Sequence, residues 1–206
     1  MQLAGSLRVA LPVALLAFAL GPTACGDRTA SGSQGGALTI GSPVDSALPV
    51  EEALRRFRTG LSDPGRLRGG APSLPELVGR VLTLLEHHDS AGLAALAIDL
   101  REFAYLYYPT SIQSRPPNDL PPGLVWTMLQ GQSREGLFHA LRELGGRPLR
   151  YLDHTCQPRT EGVNTIWGYC TVRVIGSPAD TLEGSLFGLV IERDGTFKFV
   201  SYANKL

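Results

Sequence analysis

The sequence predicts an α+β fold, with N-terminal helices packed on a curved C-terminal antiparallel sheet of about four strands. Three observations carry the prediction. Apolar residues recur at helical spacing over residues 49–144 and at strand spacing over 150–202, and two cysteines, Cys156 and Cys170, fall where the first two strands face each other. Helices followed by strands, without alternation, give segregated layers and an antiparallel sheet.

The first helix spans Pro49 to about Thr59. Proline suits a first helical position, Glu51 and Glu52 favour the positive end, and Gly60 suits the stop. Val50, Leu54, Phe57 and Leu61 share one face, and Arg55, Arg56 and Arg58 form a solvated one. After a loop over Ser62–Pro72, the capping box Ser73-Leu74-Pro75-Glu76 opens a strongly amphipathic helix ending near His88. Asp89 or Ser90 caps a third helix, Ala91–Ile98. Asp99 starts a fourth, carrying Leu100, Phe103 and Tyr107 and ended by Pro109.

Four prolines make Thr110–Pro122 an irregular surface segment. Two helical runs follow, Gly123–Gln130 and Ser133–Leu144, with Gly131 between them. Gly131-Gln132-Ser133-Arg134-Glu135 lacks the last glycine and the preceding strand of a nucleophile elbow, so Ser133 reads as a helix N-cap.

Strand register follows from keeping apolar residues on one face. The first hairpin pairs Cys156 with Cys170, His154 with Val172 and Leu152 with Val174, which allows a disulfide between directly opposed residues. A third strand, Thr181–Glu192, follows the turn Gly176-Ser177-Pro178. The last hairpin closes through a three-residue loop, Arg193-Asp194-Gly195, setting Ile191 against Phe197 and Leu189 against Phe199. A two-residue turn at Asp194-Gly195 would instead set Ile191 against Lys198. Leu82, Leu85, Phe103, Leu137, Leu141, Val172, Leu189 and Phe199 are expected to share a single core.

Residues 1–24 hold one positive charge, Arg8, then an apolar run from Val9 to Leu20 that is too short to span a membrane and suits a secretory signal. Thr23-Ala24-Cys25 resembles the bacterial lipoprotein signal, in which small residues precede a cysteine that is lipidated and becomes the new N-terminus. The resemblance implies lipidation at Cys25, with two or three acyl chains holding the protein stably on a membrane. It places the protein in the bacterial cell envelope with its domain outside the cytoplasm, periplasmic where the host has an outer membrane. Cys156 and Cys170 are then left to pair with each other. Residues 25–48, rich in Gly, Ser, Ala and Thr, read as a flexible tether spanning on the order of 25 Å, and residues 49–206 as the folded domain.

The element order over that domain resembles the nuclear-transport-factor-2-like fold, the cone-shaped architecture shared with ketosteroid isomerase and polyketide cyclases. The resemblance rests on the helix pair joined through His88-Asp89-Ser90 and on the closing hairpin with Phe197-Lys198-Phe199-Val200-Ser201-Tyr202. The stretch Phe103–Pro109 and the closing strand are also similar to bacterial envelope proteins that bring no activity with them. The fold implies a pocket between helices and sheet, and in its enzymes a carboxylate or histidine inside does acid–base work.

Basic and acidic residues balance, 19 against 19, so no nucleic-acid surface is expected. There is no C-x-x-C, H-E-x-x-H or phosphate-binding glycine loop, and neither metal nor cofactor is predicted. His87 and His88 project about 100° apart on a helix, too divergent to share an ion. His154 and Asp99 are the catalytic candidates, with Phe103, Tyr107, Trp126 and Trp167 as pocket walls. His154 reads either as a core histidine satisfied by a neighbour or as a pocket residue, while Asp153 faces the other way on the same strand. The expectation is a domain that binds a small apolar ligand or another envelope protein without catalysis. An isomerase- or cyclase-type enzyme and an accessory subunit of an envelope assembly are the alternatives.

Overall fold

In the computed structural model, residues 48–176 and 180–204 are described. The expected signal segment, Cys25, nearly all of the tether and the Ser177-Pro178 turn lie outside the described residues. Helices come first: α1 (Val50–Phe57), α2 (Leu74–Glu86), α3 (Ser90–Ala95), α4 (Leu100–Glu102) and α5 (Pro122–Leu144). Five strands follow, β1 (Arg150–Glu161), β2 (Asn164–Ile175), β3 (Thr181–Gly184), β4 (Val190–Arg193) and β5 (Thr196–Phe199), in one antiparallel sheet ordered β1-β2-β4-β5 with β3 also on β2. The chain is α+β. No helix among the described residues is long and apolar enough to cross a membrane.

The local helix signals act where they stand. Ser73 Oγ accepts the Glu76 N–H, Asp89 accepts from Gly92, and Asp99 with Glu102 forms a reciprocal capping box. The fourth helix departs from the expected regular helix, since after one turn it widens into a π-helix, Phe103–Tyr107, and then tightens into a 3-10 turn, Tyr108–Thr110. Tyr108 N–H bonds to the Phe103 carbonyl, and Pro109 has no N–H, so the Ala104 carbonyl lacks a helical partner. Arg58 takes it, donating from Nε and Nη2 at 3.1 and 2.9 Å, and its guanidinium lies 4.4 Å over the Tyr105 ring. Arg58 is therefore not part of a solvated basic face, whereas Arg55 and Arg56 are exposed and pair with Glu52.

The two expected helical runs are one 23-residue helix, α5, unbroken at Gly131. Glycine inside a helix costs only about 1 kcal/mol relative to alanine, which tertiary packing overrides. Ser133 is consequently not an N-cap. It is buried mid-helix, and its Oγ accepts the Tyr202 N–H at 3.2 Å. One turn later, a Cβ on Gly136 would stand 1.6 Å from the Tyr202 carbonyl oxygen, so the C-terminal segment crosses α5 where only glycine fits.

Cys156 and Cys170 form a disulfide with a Cα–Cα distance of 4.2 Å, and His154 pairs with Val172 as expected. The neighbouring register differs, with Tyr151 and not Leu152 opposite Val174, because β1 carries an irregularity at Leu152. A second bulge sets Tyr169 and Cys170 opposite Cys156, with Tyr169 at φ 50°. Next to that bulge the expected single strand Thr181–Glu192 is broken into β3 and β4. Leu186 and Phe187 are buried between the two, and Gly188 N–H reaches the Ser201 carbonyl at 3.0 Å.

The last hairpin takes the two-residue turn and not the three-residue loop. Ile191 faces Lys198, Arg193 faces Thr196, and Asp194 and Gly195 have φ 49° and 72°. That register sets a lysine on an apolar face. Lys198 is indeed buried there, but its Nζ lies 2.8 Å from Glu102 Oε2, a partner 96 residues earlier in the chain.

This register gives both faces of β4–β5 something to bury, so the expected single core is two. Val190, Phe197 and Phe199 join α2, Leu137, Leu141, Cys170 and Val172 in one cluster. Ile191, Val200 and Leu189 join Phe103, Tyr107, Tyr108 and the apolar face of α1 in the other. The outer edge of β5 is covered by backbone pairing with Ala71 and with Leu96–Ile98.

Candidate ligand-binding cleft

Where the two clusters part, a cleft of about 640 Å³ opens between the α3–α4 segment and α5. Its walls are Ala94, Ala97, Ile98, Trp126 and Leu137, and the buried pair Lys198–Glu102 lies at its floor. Trp126 is held by Phe103, with ring centroids 5.1 Å apart. The volume is in the range of small-molecule pockets, and the lining joins these apolar walls to the charged side chains of Arg68, Asp99, Arg101 and Arg134.

The floor is fixed by backbone geometry. Glu102 stands at the third position of α4, where the capping box turns its carboxylate toward the chain before the helix. Oε1 accepts the Arg68 N–H at 2.7 Å, and Oε2 accepts the Asp99 N–H at 2.9 Å and Lys198 at 2.8 Å. Lys198 is 4% exposed and Glu102 1%. Each charge is thus paired, which burial on this scale requires.

Asp99 also lines the cleft, but as a cap. Its carboxylate accepts from the Glu102 N–H at 2.8 Å and from Arg101 at 3.1 Å. Partial burial opposes its ionisation, but the backbone N–H of Glu102 and the Arg101 guanidinium outweigh that and hold it below the usual carboxylate range. A carboxylate so held is a poor general base near neutral pH.

His154 is not among the residues lining the cleft. It is half-buried, its Nδ1 lies 2.6 Å from the Tyr151 hydroxyl, and it is a histidine satisfied by a neighbour. Asp153 faces away and pairs with Arg173. Of the four expected pocket walls, Trp126 alone lines the cleft. Phe103 and Tyr107 are fully buried, and Trp167 packs on Phe197 and donates to Glu192 at 2.9 Å. Burial, and then the nearby Glu161 carboxylate, push the Tyr107 phenol above its ordinary range. No group of three His, Cys, Asp or Glu side chains among the described residues is placed to hold a metal ion.

Comparison with protein-family models, curated proteins and solved structures found no match. The site therefore rests on its own geometry. Its central residues, Glu102, Lys198, Arg68, Arg101 and Arg134, are not among those singled out in the sequence. One signal was present: Asp99-Leu100-Arg101-Glu102 has capping-box spacing, which turns Glu102 inward. Nothing local marks Lys198 as its partner.

Proposed function

We propose that this is a lipid-anchored bacterial envelope protein whose α+β domain binds a small ligand, without catalysis, in the cleft between the α3–α4 segment and α5. The observation that carries the reading is the cleft itself, with apolar walls above a buried ion pair, Lys198–Glu102. Helices preceding an antiparallel sheet, with a cavity beside that sheet, support a nuclear-transport-factor-2-like architecture. A disulfide supports passage through an oxidising compartment. Acid–base catalysis has less to stand on, since Asp99 is engaged as a cap and His154 lies outside the cleft lining.

Two experiments test this. Cys25→Ala should abolish lipid attachment and release the protein from the membrane fraction; unchanged partitioning would remove the anchor. An extract of envelope small molecules should raise the midpoint of thermal unfolding of the full chain, because a ligand that binds only the folded state stabilises it. Ala94→Trp, which fills the cleft from an exposed wall position, should abolish the rise. An equal rise in that variant would place the ligand elsewhere.

A further inference from the structure

We propose that the ligand of the cleft is a small anionic amphiphile, with one carboxylate or phosphate head and an apolar body. This rests on the binding reading above and goes beyond it in assigning the charge. Among the Arg, Lys, Asp and Glu side chains that line the cleft, four are cations (Arg68, Arg101, Arg134, Lys198) and two are carboxylates (Asp99, Glu102). Every oxygen of the two carboxylates already accepts a hydrogen bond. Glu102 receives three donors and Asp99 receives a backbone N–H and Arg101.

The cations are not spent. An ammonium carries three donors, and Lys198 uses one, on Glu102. Among the described residues the guanidinium groups of Arg68 and Arg134 make no hydrogen bond, and Arg101 uses one of its five donors. The cleft thus offers unused donors and an excess of positive charge but no free carboxylate, so it favours an acidic head over a basic one. Ala94, Ala97, Ile98, Trp126 and Leu137 provide the surface for an apolar body. An arginine fork suits the two oxygens of either a carboxylate or a phosphate.

The test uses the full chain in nanodiscs of zwitterionic lipid, with empty discs as blank. Octanoate, octyl phosphate, octanol, octylamine, acetate and inorganic phosphate are titrated while tryptophan fluorescence is followed. Trp126→Phe identifies the cleft signal, because the chain's other tryptophan, Trp167, is engaged with Glu192. Octanoate and octyl phosphate are expected to bind at least about tenfold more tightly than octanol, and acetate and inorganic phosphate more weakly than their octyl counterparts. Arg134→Glu, at an exposed position, should shrink the preference of octanoate over octanol at least about threefold, with an unchanged circular dichroism spectrum as the folding control.

Octanol binding as tightly as octanoate, or octylamine binding more tightly, would overturn the charge assignment and leave the binding reading standing. Inorganic phosphate binding as tightly as octyl phosphate would overturn the amphiphile in favour of a free anion. If no octyl compound perturbed Trp126, and the envelope extract also failed to stabilise the protein, the binding reading would fall with the inference.

Discussion

Lys198 and Glu102 are each tolerable in the interior only because of the other. Removing one partner of a buried ion pair typically costs about 3–5 kcal/mol, whereas replacing both is often close to neutral. Lys198→Met is therefore expected to destabilise the protein by about that amount in urea unfolding, and Lys198→Met combined with Glu102→Gln to regain part of the loss, since no unpaired carboxylate is left buried and the glutamine oxygen still accepts one of the two N–H groups, of Arg68 and Asp99, that Glu102 holds. A double variant no more stable than the single one would contradict the pairing. On the surface, hydrogen bonds from Arg55 and then Arg56 hold the Glu52 carboxyl down to about 2 from 4.5. Its folded-state pKa is depressed, so its contribution to stability is complete above about pH 4.5 and is lost as pH falls towards 2. A carbon-13 NMR titration should find the Glu52 midpoint near 2; a midpoint near 4.5 would show the arginines to be idle. Residues of this local kind were legible in the sequence. Ser73, Asp89 and Asp99 cap their helices because a cap needs only neighbours three residues away, while the partner of Lys198 lies 96 residues off.

At the scale of elements, two glycines of α5 make opposite predictions. Gly131 is exposed, and a Cβ there meets nothing within 4 Å, so Gly131→Ala should stabilise the protein by up to about 1 kcal/mol. Gly136 meets the Tyr202 carbonyl at 1.6 Å, so Gly136→Ala should destabilise it by about 1–3 kcal/mol or more, as overpacking does. Thermal unfolding of both variants checks the pair, and equal effects would mean that the chain does not cross α5 at Gly136. Glycine content alone cannot separate these cases, so the sequence does not show that α5 runs unbroken through Gly131. The disulfide was legible because directly facing strands bring cysteines close enough. Cys156→Ser with Cys170→Ser is expected to cost about 3 kcal/mol in the chain-entropy estimate for a loop closed over 14 residues. A loss below about 1 kcal/mol would show that the staple constrains little.

For the molecule as a whole, the order of helices and strands followed from periodicity alone, because the two patterns occupy separate halves of the chain. The division of the core did not. It depends on the one-residue register of the last hairpin, and that register depends on a buried ion pair that no pattern rule anticipates. The cleft lies between the same two clusters, so its position follows from the same long-range pairing. Ile98 and Trp126 belong to one cluster, Ala97, Leu137 and Tyr202 to the other, and all five face the opening above Lys198. In the proposed function this opening holds a small molecule. Native mass spectrometry of the full chain, purified from the cells that produce it without denaturation and compared with its Ala94→Trp variant, tests it most directly. A discrete adduct of small mass is expected on the unaltered protein and is lost from the variant. A bare protein in both samples, or the same adduct in both, would contradict it.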